Sequence, residues 1–272
     1  MFNHRLAARR CVPAPEGYTM MRRHLGRMAL AVAAIAVVLS AAPARLHGQA
    51  VDDEATAHSL AAMLRAGRTV VSNHQNRIND PLVGDKGLSS MAFLQQTVAI
   101  YRESTGVDPG GINPSSRLGR LLRAQMDAIA EVIDAHQATL NQQGVGFKAF
   151  IPAYFARMVN ESFEKRARGE ALIKVTAPEQ LIRNRKARPD SWEREIITGK
   201  LLTPEWKRDQ PWSAVTSVGG RQAFRMMMPE YYSSSCLSCH GSPKGETDIT
   251  GYPKEGGREG DLGGVISIVL FR

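Results

Sequence analysis

Cysteine is scarce in this chain of 272 residues: there are three, and beyond position 50 only Cys236 and Cys239 remain. That excludes a disulfide framework of the kind that staples small secreted domains. Aromatic residues make up only 6%, so a core has to be mostly aliphatic, and the 43% hydrophobic content is enough to build one. The most apolar segment, Met28 to Ser40, runs for 13 residues, short of the roughly 20 that span a bilayer. No H-E-x-x-H, second C-x-x-C, H-x-x-x-H or Ser–His–Asp set is visible. No basic stripe is interleaved with aromatics, which excludes a nucleic-acid-binding role.

What is present begins with an export pattern. Arg22, Arg23, His24 and Arg27 precede the apolar run, and Ala42-Pro43-Ala44 and Gly48-Gln49-Ala50 follow it as small-residue cleavage sites. Charge, short apolar run and small residues in this order form a secretory signal. Residues 1–50 are therefore expected to be a leader and residues 51–272 one exported, periplasmic-type domain, the alternative being an uncleaved anchor. The leader also carries most of the charge. The formal +9 of the whole sequence falls to +3 beyond residue 50, where 28 basic residues face 25 acidic ones.

Apolar periodicity predicts helices over 52–79, 89–104, 115–141 and 153–168. The first carries a stripe of Leu60, Leu64, Gly67, Val71, His74 and Ile78 and ends before Pro81, since proline disfavours helix in the residue preceding it. Strands are expected at 171–177, 213–218, 221–228 and 265–271, with a short helix at 191–198 and a basic loop at 182–189. Gly219-Gly220 marks a hairpin, because glycine tolerates the positive φ of such turns. Residues 241–264, rich in glycine and charge, read as a flexible loop. Helices first and an antiparallel sheet afterwards define an α+β fold.

Cys236-Leu237-Ser238-Cys239-His240 matches C-x-x-C-H, the attachment sequence for c-type haem. Two thiols add across the two vinyl groups on one edge of the porphyrin, and a turn of helix presents both to that edge. The next residue, His240, is then placed to bind the iron. The rival readings are a reactive dithiol, which usually sits in a thioredoxin-like βαβ unit, and zinc, which usually needs four ligands.

At these residues the sequence resembles the Tll0287-like haem domain family, also called DUF3365, from about Ala61 to Arg272. The resemblance rests on Ile78-Asn79-Asp80-Pro81, Asp85-Lys86-Gly87-Leu88, Gly146-Phe147-Lys148 with Ile151-Pro152, Lys174-Val175-Thr176, and Arg183-Asn184. It continues through Arg188-Pro189-Asp190 with Trp192-Glu193, and Pro229-Glu230-Tyr231-Tyr232 leading into the Cys236–His240 motif. It implies a PAS-like sheet with long N-terminal helices and one covalent haem. In this family the domain often precedes signalling modules. Here the sequence ends at Arg272, directly after the last expected strand, and signalling by this chain alone is not expected. A redox partner protein or a sensor partner is expected.

For the second axial position of the iron, His74 on its apolar helix stripe is the first candidate. Met226 or Met228, on the strand before the motif, is the second, and an open or water-bound site the third. His136 and His58 rank lower. His74 and His136 both lie on apolar stripes, where a lone histidine is more often a hydrogen-bonded core residue than a ligand. The cluster Arg183, Arg185, Lys186 and Arg188 reads as a solvated loop or as partners for haem propionates. Electron transfer or redox sensing is the favoured function. A gas-binding sensor and a haem enzyme of peroxidase or reductase type, each needing an open iron site, are the alternatives.

Overall fold

A computed structural model describes residues 51–272. The expected leader, with its export signal and cleavage sites, lies outside the described residues. Among the described residues, no helix is long and apolar enough to cross a membrane.

Helix α1 covers 51–73 and, after a turn at His74, α2 continues over Gln75–Asn79. The helix expected over 52–79 is thus bent at His74. The backbone bonds His74 N to Val70 O and Ile78 N to His74 O, 3.1 and 2.8 Å, carry the chain across the bend. Asp80 then turns extended, at ψ 115°, ahead of Pro81. Helix α3 (Ser90–Thr105) is capped by the Ser89 hydroxyl, which accepts from Ala92 N, and closed by Gly106 in the left-handed region. Helix α4 (Arg117–Ala135) is capped by Ser116 and followed after His136 by the short α5 (Gln137–Leu140). The long helix expected over 115–141 is therefore two, separated where His136 leaves helical geometry at φ −106°, ψ 6°. Pro152 opens α6 (Pro152–Arg166), a position where its missing N–H costs nothing.

The sheet is antiparallel, in the order β1 (Ala171–Thr176), β4 (Leu262–Phe271), β3 (Arg221–Tyr231), β2 (Trp212–Val218). Gly219 and Gly220, both at positive φ, join β2 to β3 as the two-residue turn the sequence predicts. β4 starts at Leu262 rather than Val265, because pairing with β3 extends to Tyr231↔Leu262 past an irregularity at Glu230/Tyr231. The fold is α+β, helices before an antiparallel sheet, as expected.

Each sheet face has its own apolar layer. Met226, Met228, Ile266, Ile268 and Leu270 pack with Leu60, Leu64, Val71, Ile129 and Phe155 of the helices in the main core. Met227 and Val265 point the other way, as strand alternation requires, into a smaller cluster with Ile196, Ile197 and Leu201. That cluster is covered by α7 (Ser191–Ile196) and the wide turn Ile197–Leu201. Asp190 and Glu193 form a reciprocal capping box at the start of α7.

Charged clamps lie along α1 at both ends of the sheet. Near its start, buried Asp53 takes Arg117 at 2.7 Å and Arg272 at 2.7 Å. Further on, Arg65 and Arg68 grip Glu230 at 2.5 and 2.6 Å, at the end of β3. His74 lies six residues past Arg68, roughly 9 Å further along the axis at the rise of an α-helix.

Candidate cofactor-attachment site

β3 and β4 are sheet neighbours, so residues 232–261 leave and return at one end of the sheet. Tyr232 N donates to Asp261 O at 2.9 Å and Gly260 N to Tyr232 O at 2.8 Å, closing the neck of this excursion. Inside it, a 3₁₀ turn over Ser234–Cys236 runs directly into α8 (Leu237–His240). Cys236 and Cys239 are three apart on this helical turn, and residues at that spacing share a side. Both are half-buried free thiols. The Ser233 hydroxyl lies 3.4 Å from the Cys236 sulfur, and the Ser238 hydroxyl 3.8 Å from that of Cys239.

His240 is held by its other ring nitrogen. Nδ1 lies 2.9 Å from Glu255 Oε2, and no hydrogen bond among the described residues engages Nε2. The ring stacks on Tyr232, centroids 5.1 Å apart and planes 18° off parallel. The Tyr232 hydroxyl is buried with no hydrogen-bond partner among the described residues. Burial, and then the Glu255 charge, push its pKa up to about 12.

The stretch expected to be a flexible loop is instead tied to the motif. Gly257 N donates to His240 O at 2.8 Å and Gly256 N to Gly241 O at 3.1 Å. The Tyr232 ring also crowds two glycines of the return: a Cβ on Gly263 would lie 2.2 Å from it and one on Gly257 2.6 Å. These are positions where a side chain has no room.

Arg183, reaching in from the basic loop, organises the whole excursion. Nε and Nη2 bind the two Glu255 oxygens at 2.8 and 3.0 Å, and Nη1 binds Asp248 at 2.6 Å. Nη2 also donates to Cys239 O at 2.9 Å. Burial acts to raise the Glu255 carboxyl, but the bonds from Arg183 and His240 outweigh it and hold the group below the usual carboxylate range. The same opposition, won by Thr250 and Arg183, places Asp248 far below its ordinary value. Arg183 is thus occupied by protein carboxylates, and Lys186 by Glu161 at 2.9 Å. Arg185 and Arg188 line an open cleft of about 560 Å³ together with Glu179, Gln180, Ile182 and Arg183.

The remaining histidine and methionine candidates lie elsewhere. His74 is half-buried and directs Nε2 to Gln96 Oε1 of α3 at 2.7 Å. His136 bonds Val132 O through Nδ1 and the Tyr154 hydroxyl through Nε2, at 2.6 and 3.1 Å, and packs as a core histidine. His58 pairs at 3.9 Å with Glu54 on the same helix. Met226 and Met228 are buried in the aliphatic core of the helical face.

Several residues of the resembling motifs knit the fold together and do not enter the site. The buried Lys86 ammonium donates to Asp80 O and Val83 O, and Lys148 donates to Val145 O at 2.7 Å and, through its backbone, to Asn79. Burial, then the Lys86 charge, lower the Lys148 pKa. On the far sheet face, Lys174 and Arg225 bracket Glu193 at 2.6 and 3.3 Å. Among the described residues, no group of three or more His, Cys, Asp or Glu side chains is arranged to hold a metal ion. Sequence reasoning missed Glu255, Asp248 and Tyr232. Glu255 looks no different from Glu246 or Glu259 in a charged, glycine-rich stretch, and only the return of the loop onto His240 distinguishes it.

Fold and site define an α+β domain that sets a thiol–thiol–imidazole turn into the connection between two neighbouring strands. The Tll0287-like family model matches residues 49–270, and the chain belongs to that family. No curated protein and no solved structure matches it.

Proposed function

We propose that this domain carries one covalent c-type haem, joined to Cys236 and Cys239 with His240 as an iron ligand, and serves in electron transfer or redox sensing. The observation that carries this reading is the donor set of one helical turn: two free thiols at i and i+3, then an imidazole whose Nδ1 is already bonded and whose Nε2 is unengaged. An imidazole that binds metal typically donates its other N–H to a carboxylate or carbonyl, which fixes the tautomer. Glu255 supplies that carboxylate. Once bound, the haem supplies one-electron exchange between ferric and ferrous iron. The protein holds the His240 ring between Glu255 and Tyr232, and presents Arg185 and Arg188 to an adjacent cleft where propionates find charged donors.

The optical spectrum of the holoprotein, ferric and ferrous, with and without carbon monoxide, tests the functional class. Six-coordinate low-spin spectra and no rapid carbon monoxide binding are expected for an electron carrier or redox sensor. Rapid binding favours gas sensing or catalysis.

His74 is the proposed second ligand from its place on the apolar stripe of its helix. His74 follows the Arg65 and Arg68 clamp on Glu230 in the sequence, and ligation exchanges the Gln96 bond for iron. His74→Ala is then expected to convert low-spin ferric haem to a high-spin or water-bound form and to open the ferrous form to carbon monoxide. An unchanged spectrum in the folded variant would assign His74 to helix packing alone.

Covalent attachment keeps a cofactor from being lost outside the cell, which accords with the proposed export. The intact mass of exported protein is expected to place the mature N-terminus between Arg45 and Val51. Protein that retains Met1 or Met20 in the membrane fraction would make the segment an anchor.

A further inference from the structure

We infer that Glu255 is a positioning residue that makes His240 a strongly electron-donating iron ligand, and that Arg183 and Asp248 behind it set the strength of this effect. The inference rests on the haem reading above and concerns how the protein tunes that site.

The geometry is a chain of four groups. His240 Nδ1 meets Glu255 Oε2 at 2.9 Å, Glu255 is gripped by Arg183 through both oxygens, and the third arm of the guanidinium goes to Asp248 at 2.6 Å. With Nε2 committed to iron, Nδ1 carries the proton and donates it to the carboxylate. A full carboxylate draws on that proton more strongly than a backbone carbonyl, so the ring gains imidazolate character and becomes a more basic ligand. A more basic ligand stabilises ferric iron over ferrous and lowers the reduction potential.

Arg183 alone would cancel the Glu255 charge. Asp248 offsets that cancellation. Its side chain has no exposed surface, against 18% for Arg183 and 16% for Glu255, and it accepts further bonds from Thr250 N, Thr250 Oγ1 and Tyr252 N. Glu255 and Asp248 against Arg183 leave one net negative charge behind the imidazole, in a partly buried environment where charges are screened less than in water. The same chain fixes Glu255 in place, since its two oxygens cannot both serve Arg183 unless the carboxylate keeps its present orientation.

The test is spectroelectrochemical titration of purified holoprotein, with electron paramagnetic resonance of the ferric form. Glu255→Gln keeps the shape and removes the charge. Its midpoint potential is expected to rise by about the equivalent of a tenfold change in the ferrous-to-ferric ratio, or ~59 mV for one electron, and its ferric g values to shift. Glu255→Asp, which keeps the charge, is expected to lie between this variant and wild type. Asp248→Asn, one group further from the iron, is expected to move the potential in the same direction by less. A purely structural role would change stability and leave the potential and g values of folded holoprotein where they are.

Unchanged potential and g values in Glu255→Gln that retains covalent haem would overturn the inference and leave the haem reading standing. If Glu255→Gln fails to fold, Asp248→Asn decides, and an unchanged potential there overturns the inference equally. Wild-type protein without covalent haem would instead overturn the reading on which the inference rests.

Discussion

Wild-type protein matured in a host that attaches c-type haem is expected to keep its haem through complete denaturation, and the double variant Cys236→Ala, Cys239→Ala to lose all of it. Axial ligation and apolar contacts depend on the fold and vanish with it, whereas a thioether bond does not. The intact mass of the denatured wild type should exceed that of the processed polypeptide by one haem. Each single variant retains one sulfur and is expected to hold less haem than wild type. Both sulfurs are free, half-buried and on one turn. Denatured wild-type protein devoid of haem, despite active maturation, would refute the proposed attachment.

Replacing Arg183 with leucine is expected to destabilise the folded domain by about 3 kcal/mol, the order seen when one partner of a buried ion pair is removed. The substitution leaves buried Asp248 and half-buried Glu255 without their shared cation and takes the donor away from Cys239 O. Denaturant unfolding at neutral pH measures the loss. The pH dependence gives an independent sign. Asp248 and Glu255 both lie below their ordinary values in the folded protein, so the stability they contribute is present above the unfolded carboxylate range. It is lost as pH falls through their folded values. Wild-type stability is therefore expected to decline on acidification below about pH 4, and Arg183→Leu, in which both carboxylates have lost their shared cation, to show a weaker decline. Equal stability of the two proteins at pH 7 would contradict the role assigned to Arg183.

Local signals marked the elements where the physics is local. Pro81 after the first helical stretch and Gly219-Gly220 between alternating stretches each impose backbone geometry on their own neighbours. The bends at His74 and His136 were not legible, because apolar periodicity continues through both. At each break the histidine side chain reaches another helix, His74 to Gln96 and His136 to Tyr154 on α6. The start of β4 at Leu262 was missed for a related reason, since strand pairing with Tyr231 extends it into glycine-rich sequence with little strand propensity of its own.

The candidate site divides in the same way. The spacing of Cys236, Cys239 and His240 was determined by the sequence alone, because three residues within one helical turn need only local geometry to face a common ligand. The α+β class and an aliphatic core followed equally from periodicity and composition. Only the tertiary structure decided what surrounds His240. Glu255 is 15 residues away and Arg183 more than fifty, in segments whose composition reads as solvated loop. They meet at the imidazole because β3 and β4 are neighbours, which forces the intervening chain to fold back on itself. It also decided that Met226 and Met228 belong to the core: alternation puts both on the helical face of β3, and the aliphatic side chains packed there enclose them.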